Sequence, residues 1–182
     1  MNAIANVPSR PLTAMSAANP AEEHQQYLTF MLEGETFAIG ILGIKEIIEY
    51  HSLTEVPMMP ACIRGVINLR GAVVPVLDLA ARFGKKSSEV TKKTCIVIVE
   101  VESGKDRHHM GVVVDAVNAV LEIPASEIEP PPSFGAKIRS DFIQGMGKVG
   151  GKFVILLNVQ QVLSTEELGA LGQMAGSAGA AA

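Results

Sequence analysis

The apolar positions of this chain are spaced as they are in β-strands. In the stretch YLTFML, Leu28, Phe30 and Leu32 alternate with their neighbours and share one face. Comparable runs rich in valine, isoleucine and phenylalanine recur, and glycines or charged residues bound several of them. This pattern predicts strands at 27–32, 37–42, 73–77, 95–101, 110–114 and 152–157.

One stretch of the chain occurs twice. Residues 62–80 read CIRGVINLRGAVVPVLDLA and residues 142–160 read FIQGMGKVGGKFVILLNVQ, with matching positions 80 apart throughout. Upstream, FAIGILGIKEIIE at 37–49 matches MGVVVDAVNAVLE at 110–122. Repetition over this length indicates an internal duplication of one structural unit.

The duplication predicts a mainly β fold made of two small barrels. The strands are short and closely spaced, and the repeat units run from about 27 to 84 and from about 94 to 163. One copy buries too little surface to be stable alone, so we expect the two barrels to pack on each other. The junction between them is a natural place for a binding groove.

Short helices are expected after the last strand of each copy. The runs VVPVL and FVILL are apolar on both faces and predict central strands, although Pro75 favours an edge or a bulge because it has no N–H donor. Asp78 and Asn158 follow these runs and are suited to cap a short helix. Ser164 and Glu167 have the spacing of a capping box for a final helical turn at the C-terminus.

The two ends differ from the middle of the chain. Residues 1–24 mix Ala, Asn, Pro and Ser without periodicity, and residues 169–182 are mostly Ala and Gly. We expect both ends to be disordered, since neither buries enough apolar surface to offset its ordering entropy. The folded domain is therefore placed at 25–168.

Composition narrows the classes of function. Of the 182 residues 48% are hydrophobic, yet no apolar run approaches the ~18–20 residues of a membrane span. The net charge of −4 gives no general attraction to nucleic acid or to anionic lipid. Cys62 and Cys95 lie in apolar surroundings and are expected to be small buried residues in a reducing compartment. These features predict a soluble, cytoplasmic protein without membrane insertion.

No catalytic residue, cofactor site or metal site is predicted. The four histidines, His24, His51, His108 and His109, lack metal-ligand spacing, and the adjacent pair is interpreted as part of a hairpin loop. The sequence contains no nucleophile elbow, P-loop or dinucleotide fingerprint. The glycines of GMGKVGG at 145–151 belong to the repeat and do not lead into a helix, so we expect them to serve turns.

Nucleic-acid binding is also disfavoured. A small barrel that binds single strands needs a basic face with stacking aromatic side chains, whereas this chain has six Phe, two Tyr, no Trp and an acidic balance. Phe30, Phe37 and Phe153 fall on strand positions and are predicted to lie in the core.

The repeated stretch resembles a known family. The sequence ILGIKEIIEY…PMMPACIRGVINLRGAVVPVLDL, followed by MGVVVDAVNAVLEI and FIQGMGKVGGKFVILLNV, is similar to the CheW family of bacterial chemotaxis coupling proteins. The signature I-x-G-V-x-N-L-R-G-x-V-V-P-V-x-D-L is long and specific, and the resemblance runs from about Tyr27 to Leu168. No histidine-kinase core and no receiver domain accompanies it, so the chain resembles the stand-alone adaptor.

The resemblance implies a fold, a function and partners. It implies two intertwined SH3-like, five-stranded β-barrels without catalysis, which couple transmembrane chemoreceptors (methyl-accepting chemotaxis proteins) to the chemotaxis histidine kinase. The helical hairpin tip of the receptor would lie in the groove between the barrels, and the kinase's regulatory domain would dock end-on to the first barrel. The protein would be a monomer alone and part of receptor–kinase arrays at the membrane.

The resemblance also assigns residues to the two partners. The positions carried over for receptor binding or signalling are Ile44, Glu46, Gly65, Arg70, Gly71, Gly111 and Val120. For the kinase, the loop SLTEVPMMP supplies Leu53, Val56, Met58 and Met59.

Arg70 distinguishes the first copy from the second, which has Gly150 at the matching position. The fold therefore does not require arginine there. We expect its guanidinium to leave the barrel while its stem covers apolar surface, either paired with Glu46 or together with Glu46 against charges on the receptor. The alternative is that Arg70 is a solvated turn residue.

Other interpretations also stay open at this stage. Met58 and Met59 form either an adaptable apolar patch for a partner or ordinary loop packing. Gly65, Gly71 and Gly111 act either through contacts or through backbone geometry. At the level of function, the same adaptor fold would also suit a chemosensory pathway for surface motility or development, and a ligand-binding β-barrel is a further alternative.

Overall fold

The computed structural model describes residues 24–131, 138–164 and Leu168. The predicted disordered arm up to residue 23, the predicted C-terminal tail and Glu167 of the predicted capping box lie outside the described residues. The domain boundaries therefore stay a prediction.

Strands make up most of the described chain. Their bounds are β1 His24–Leu32, β2 Glu35–Gly40, β3 Ile44–Glu49, β4 Ile63–Leu69, β5 Ala72–Asp78, β6 Cys95–Ser103, β7 Asp106–Val114, β8 Ala116–Pro124, β9 Ile128–Glu129, β10 Ile143–Val149 and β11 Lys152–Leu157. Single-turn helices follow the last strand of each copy, α1 at Leu79–Arg82 and α2 at Val159–Val162. Short 3-10 turns lie at Ile41–Gly43, Ala125–Glu127 and Ser140–Phe142.

The strands form two sheets, and each sheet contains both copies of the repeat. The first sheet has the order β8-β1-β2-β11-β10-β9 and the second has the order β3-β6-β7-β5-β4. In the repeat, β6 and β7 correspond to β1 and β2, while β8, β10 and β11 correspond to β3, β4 and β5. Each sheet thus takes two strands from one copy and three from the other, and β9 adds two residues to the first sheet. The predicted mainly β fold with two intertwined units is confirmed.

Two parallel pairings join the copies within the sheets. β2 lies beside β11, with Phe37 opposite Ile155. β5 lies beside β7, with Val76 opposite Gly111. The other strand pairs of the described chain are antiparallel. Each parallel pair therefore closes a sheet between strands that are distant in the sequence.

The largest apolar cluster lies between the two sheets. Phe37 and Leu157 of the first sheet belong to it together with Val97 of the second. The opposite faces of the sheets are also covered, since Ile98 and Leu156 belong to two smaller clusters. Burial on both faces explains the apolar residues at 74–77 and 154–157, and both runs form central strands as predicted, whereas Val73 and Phe153 at the start of each run are exposed.

A row of phenylalanine rings crosses this core. Ring centroids are 6.1 Å apart between Phe30 and Phe37, 5.7 Å between Phe37 and Phe83, and 5.9 Å between Phe83 and Phe142. Phe83 ends α1, and Phe142 immediately precedes β10. The row therefore connects elements of both copies through direct ring contacts.

His108 and His109 do not lie in a hairpin loop, contrary to the prediction. They belong to β7 and lie opposite Val101 and Glu100 of β6.

Two further sequence predictions are wrong in detail. Phe153 was predicted to be a core residue but is 52% exposed, because it lies opposite Lys148 on the outer face of the β10–β11 hairpin. The strand predicted at 37–42 ends at Gly40, and the next residues form a 3-10 turn. Alternation alone does not reveal which face of a strand meets the other sheet.

Pro75 lies in a central strand rather than at an edge or at the β4–β5 bulge, contrary to the prediction. Its partner in β4 is Val66, and the parallel pairing with β7 begins one residue later, at Val76. The strand therefore tolerates proline, because pairing with β7 does not yet require a donor at that residue.

The predicted helix caps are confirmed in both copies. The Asp78 carboxylate accepts a hydrogen bond from the Ala81 N–H at 3.3 Å, and the Asn158 side-chain oxygen accepts one from the Gln161 N–H at 3.3 Å. Each cap satisfies one of the backbone donors that a helix leaves unpaired at its N-terminus.

Both cysteines lie among apolar residues, as predicted. Cys62 is buried in the largest cluster, and Cys95 is half-buried against it. Burial raises the pKa of the Cys95 thiol, and the negative charge of Glu49 raises it further. The Cys95 thiol is therefore protonated and unreactive near neutral pH.

The phenylalanine row gives a test of the core. Phe83→Ala removes the ring that connects Phe37 with Phe142, so we expect the free energy of unfolding to fall by about 3–5 kcal/mol in a urea titration. Phe153→Ala is the matched control at an exposed position and is expected to change it by about 0.5 kcal/mol or less. Equal effects of the two substitutions would contradict the assignment of the row to the core.

Candidate functional site

Arg70 and Gly71 form the two-residue turn of the β4–β5 hairpin. Their φ angles are +52° and +86°, and the matching turn between β10 and β11, Gly150–Gly151, has φ angles of +57° and +79°. Hairpin turns of this kind require positive φ at both central residues, which favours glycine. An L-residue with a side chain pays roughly 1–2 kcal/mol for this conformation. Arg70 thus occupies a position at which glycine would fit the backbone better.

Arg70 forms an ion pair with Glu46 on β3. Its Nη2 donates to Glu46 Oε2 at 3.0 Å, with side-chain exposures of 80% for the arginine and 24% for the glutamate. β3 and β4 are the two edge strands of the second sheet, so this contact requires the sheet to curl and bring its edges together. The second copy has Ala119 and Gly150 at the matching positions, and neither can form such a pair.

The ion pair does not explain the arginine on grounds of stability. Such an exposed pair contributes only ~0–1 kcal/mol, which is no more than the positive φ of Arg70 costs. Backbone strain that stability does not account for is typical of functional positions. The geometry therefore favours the interpretation of Arg70 as part of an interaction surface over that of a solvated turn residue.

A groove of about 490 Å³ lies between the two sheets. The sequence predicts a binding groove at the junction of the two repeat units. Val99 of the second sheet and Leu157 of the first contribute apolar surface to it. Leu42 at its margin is 94% exposed. Polar side chains, several of them amides, complete the lining: Gln25, Gln26, Glu100, Glu122, Gln144, Asn158 and Gln160.

Two of the residues that the family resemblance assigns to the receptor, Ile44 and Val120, lie beside this groove. Ile44 directly follows the 3-10 turn that lines the groove, and Val120 is exposed on β8 two residues before the lining residue Glu122. Leu42 was missed because the sequence was interpreted as continuous strand through it. The glycines on either side of the turn, in GILG, are the signal that would have found it.

Two of the glycines carried over for signalling have structural roles. A Cβ atom on Gly65 would lie 2.5 Å from the carbonyl oxygen of Thr54, and one on Gly111 would lie 2.7 Å from Cγ2 of Ile96. Gly71 has open space around it but needs its positive φ. Of the two alternatives for these positions, the geometry favours backbone conformation and close packing over direct contact.

The loop at residues 52–60, which we name the docking loop, is attached to the second sheet near its N-terminal end. Leu53 packs against the smaller cluster of that sheet. Thr54 and Val66 of β4 exchange two backbone hydrogen bonds, from Thr54 N–H at 3.0 Å and from Val66 N–H at 2.8 Å. Of the residues assigned to the kinase, Leu53 therefore anchors the loop.

The remaining kinase residues are exposed beyond this anchor. Val56, Met58 and Met59 are all large apolar residues at the surface, and Met58 is 64% exposed with a φ angle of +63°. Neighbouring exposed methionines give a polarisable surface that adapts to a partner. Their exposure favours an apolar patch over ordinary loop packing.

Metal-binding clusters and membrane-spanning helices are absent from the described part of the chain. Within residues 24–131 and 138–164 and at Leu168, no three side chains of His, Cys, Asp or Glu are grouped so as to hold a metal ion. No helix in those same ranges has the length and apolar character needed to cross a membrane.

Comparison with known proteins gives matches over most of the chain. A family model for the CheW-like domain matches residues 26–167. Chemotaxis protein CheW of Klebsiella aerogenes is 32% identical over 153 residues, which is 84% of this chain and 90% of that protein. Protein FrzA of Myxococcus xanthus is 28% identical over 160 residues, which is 87% of this chain and 94% of that protein.

A solved structure matches in fold as well as in sequence. The scaffolding protein TtCheW from Thermoanaerobacter tengcongensis superimposes with a TM-score of 0.71 and 32% identity, over 78% of this chain and 94% of that one. The resemblance inferred from the repeated stretch is confirmed.

Exchanging the turn residues between the two hairpins is expected to have opposite effects. Arg70→Gly relieves the positive-φ penalty and removes a weak ion pair, so the free energy of unfolding rises by about 0.5–1 kcal/mol. Gly150→Arg introduces the penalty without a carboxylate to pair with and lowers it by about 1–2 kcal/mol. Denaturant titrations of both variants measure this. If Arg70→Gly is instead strongly destabilising, Arg70 is a structural residue.

The glycines give a second stability test. Gly65→Ala forces a methyl group against the docking loop, and we expect it to lower the free energy of unfolding by about 1–3 kcal/mol. Hydrogen exchange at the Thr54 amide should accelerate with it. Gly71→Ala, with open space but positive φ, should cost about 1 kcal/mol and leave the Thr54 amide protected. Wild-type stability of Gly65→Ala would contradict the structural role.

Proposed function

This chain belongs to the CheW-like family, and we propose that it is a non-catalytic adaptor that couples transmembrane chemoreceptors to the histidine kinase of a bacterial chemotaxis pathway. The family match covers nearly all of the described chain. Several of its relatives are named chemotaxis protein CheW, and a structural neighbour is named a scaffolding protein. The chemotaxis role follows from these matches, and the specific partners are the part that we propose.

The position of Arg70 is the main observation that supports receptor binding. It keeps a charged side chain at a turn position that favours glycine, projects it into solvent, and orients it by one ion pair to Glu46. The matching turn of the second copy has the same backbone and no charge. A partner that binds Arg70 gives a reason for this difference, because a desolvated charge pair at an interface contributes far more than an exposed one.

The groove supplies the apolar part of the receptor surface. Its lining combines aliphatic side chains with amides, and Leu42, Ile44 and Val120 lie in it or beside it. A helical hairpin binds in such a groove through apolar residues spaced three or four apart, with its polar flanks against the amides. The receptor tip is the helical partner that the family resemblance implies.

The docking loop is the proposed surface for the kinase. Val56, Met58 and Met59 form an exposed apolar patch that is held to the sheet by Leu53 and Thr54. The regulatory domain of the kinase contains the same kind of module in the family resemblance, so the contact joins two related barrels end to end. In this arrangement the protein is a cytoplasmic monomer that is recruited to receptor–kinase arrays at the membrane.

A second candidate pathway is favoured by one relative. Protein FrzA matches over 94% of its length but is not named a chemotaxis protein. A chemosensory pathway for surface motility or development is therefore the second candidate, and the same adaptor fold serves it without a change of mechanism. In that case the two surfaces are the same, and only the receptors and the kinase differ.

The proposal is tested by co-sedimentation with a chemoreceptor cytoplasmic fragment and, separately, with the kinase regulatory domain. Arg70→Glu places two carboxylates together, so receptor affinity should fall at least about ten-fold while the thermal midpoint stays within a few degrees. Met58→Asp is the matched control: it should weaken kinase binding and leave receptor binding intact.

The charge-swapped variant Arg70→Glu with Glu46→Arg separates two explanations. If the ion pair matters only within the protein, the double variant restores receptor binding; if the guanidinium meets the receptor, it does not. Failure of the wild-type protein to bind either partner would refute the coupling role.

A further inference from the structure

Arg64 and Asp78 form a buried ion pair beneath the docking loop. Arg64 Nε donates to Asp78 Oδ2 at 2.8 Å, and the aspartate is fully buried while the arginine side chain is 18% exposed. The same guanidinium donates to the Tyr50 hydroxyl at 3.3 Å and to the backbone carbonyl of Ser88, and it lies 5.7 Å from the centroid of the Tyr50 ring. One side chain thus connects β4, the end of β5, the segment before the docking loop and the segment after α1.

The aspartate completes this network. Its Oδ2 also accepts from the Ser88 N–H at 3.2 Å, and its Oδ1 accepts from the Ala81 N–H in the cap of α1. With the arginine, these contacts give the buried carboxylate hydrogen bonds to both of its oxygens, as a buried charge requires.

The network lies at the base of the docking loop. Tyr50 is two residues before the loop begins, and its N–H donates to the Thr94 carbonyl at 3.1 Å. Within the loop, Thr54 is bonded to Val66, two residues after Arg64 on β4. The contact of Arg64 with Tyr50 and the bridge between Thr54 and Val66 therefore both hold the N-terminal side of the docking loop.

The second copy of the repeat shows that the barrel does not need this pair. Gln144 and Asn158 stand at the positions of the arginine and the aspartate. The scaffold contacts persist without charge: the Asp78 N–H donates to the Cys62 carbonyl at 2.7 Å, and the Asn158 N–H donates to the Phe142 carbonyl at 2.7 Å. The helix cap is also present in both copies. Gln144 has no guanidinium, so the second copy has no counterpart of the ion pair between Arg64 and Asp78.

We propose that Arg64 and Asp78 are positioning residues that hold the docking loop in the conformation that binds its partner. Desolvation makes a buried ion pair weak evidence for a role in stability, and the corresponding strands of the second copy form with the uncharged residues Gln144 and Asn158 at these positions. The inference rests on the proposed function, since it takes the docking loop to be the kinase surface. It assigns a role in kinase binding to two residues that do not have to contact the kinase themselves.

The test uses the full chain with the neutral pair of the second copy, Arg64→Gln together with Asp78→Asn. Each single substitution would leave one buried charge unpaired and would risk unfolding the protein, so the double variant is the informative one. The Thr54 amide, which donates to the Val66 carbonyl, should exchange about ten-fold faster, the effect of losing one hydrogen bond to a charged group. Affinity for the kinase regulatory domain should fall by a similar factor, while affinity for the receptor fragment stays unchanged.

Arg64→Lys provides a graded control. A lysine can still pair with Asp78, but it cannot also bond Tyr50 and Ser88 in the planar geometry of a guanidinium. We expect it to keep the overall stability of the wild type and to show intermediate exchange in the docking loop. This separates the loop attachment from the charge pair itself.

The outcomes distinguish this inference from the proposed function. Wild-type loop exchange and kinase affinity in the double variant would overturn the positioning role while leaving the adaptor proposal intact. Parallel loss of receptor binding, kinase binding and global stability would overturn it too, because the pair would then be a general stabilising element. If the wild type binds no kinase domain, the proposed function fails, and hydrogen exchange alone still decides whether the pair positions the loop.

Discussion

The parallel pairing of β2 with β11 and of β5 with β7 is the contact on which the rest of the structure depends. Together with the antiparallel pairs β1–β8 and β3–β6, it combines strands of both copies in each sheet, so the main core forms between the sheets rather than inside one repeat. The same arrangement places a groove at the junction and leaves the turns of the β4–β5 and β10–β11 hairpins at the surface. A duplicated unit that is too small to fold alone thereby becomes one cooperative domain with two similar but independent surfaces.

The two copies share a backbone and differ in charge. The first copy carries the pairs Arg70–Glu46 and Arg64–Asp78, and the matching positions of the second copy are uncharged. Turns, bulges and helix caps recur in both copies, which shows that the backbone does not depend on these charges. A duplication of this kind acts as an internal control: a feature found in both copies belongs to the scaffold, and one found in a single copy calls for another explanation.

The strands, the duplication and the helix caps could be predicted from the sequence. Strand periodicity, the repeat and the capping residue Asp78 depend on local geometry, and local geometry is encoded locally. The exposure of Phe153 and the turn at Leu42 depend on which faces of distant strands meet, which no short pattern contains. The comparison of the two copies singles out Arg70 in the sequence, whereas its positive φ angle is evident only from the structure of the hairpin. The ion pair of Arg64 was missed because its partners are scattered along the chain.

The exchanged strands also constrain how the protein is made. The second sheet is complete once synthesis has passed β7, at Val114, whereas the first sheet lacks its parallel partner until β11 has been added near Leu157. Until β8 has been made, at Pro124, the strands β1 and β2 form an apolar hairpin without a neighbour on either side, and β2 keeps its free edge until β11 has been made. Unpaired edges of this kind invite pairing with other chains. On a ribosome, the earliest part of this protein is therefore the last to be protected, and its exposure lasts for most of the time of translation.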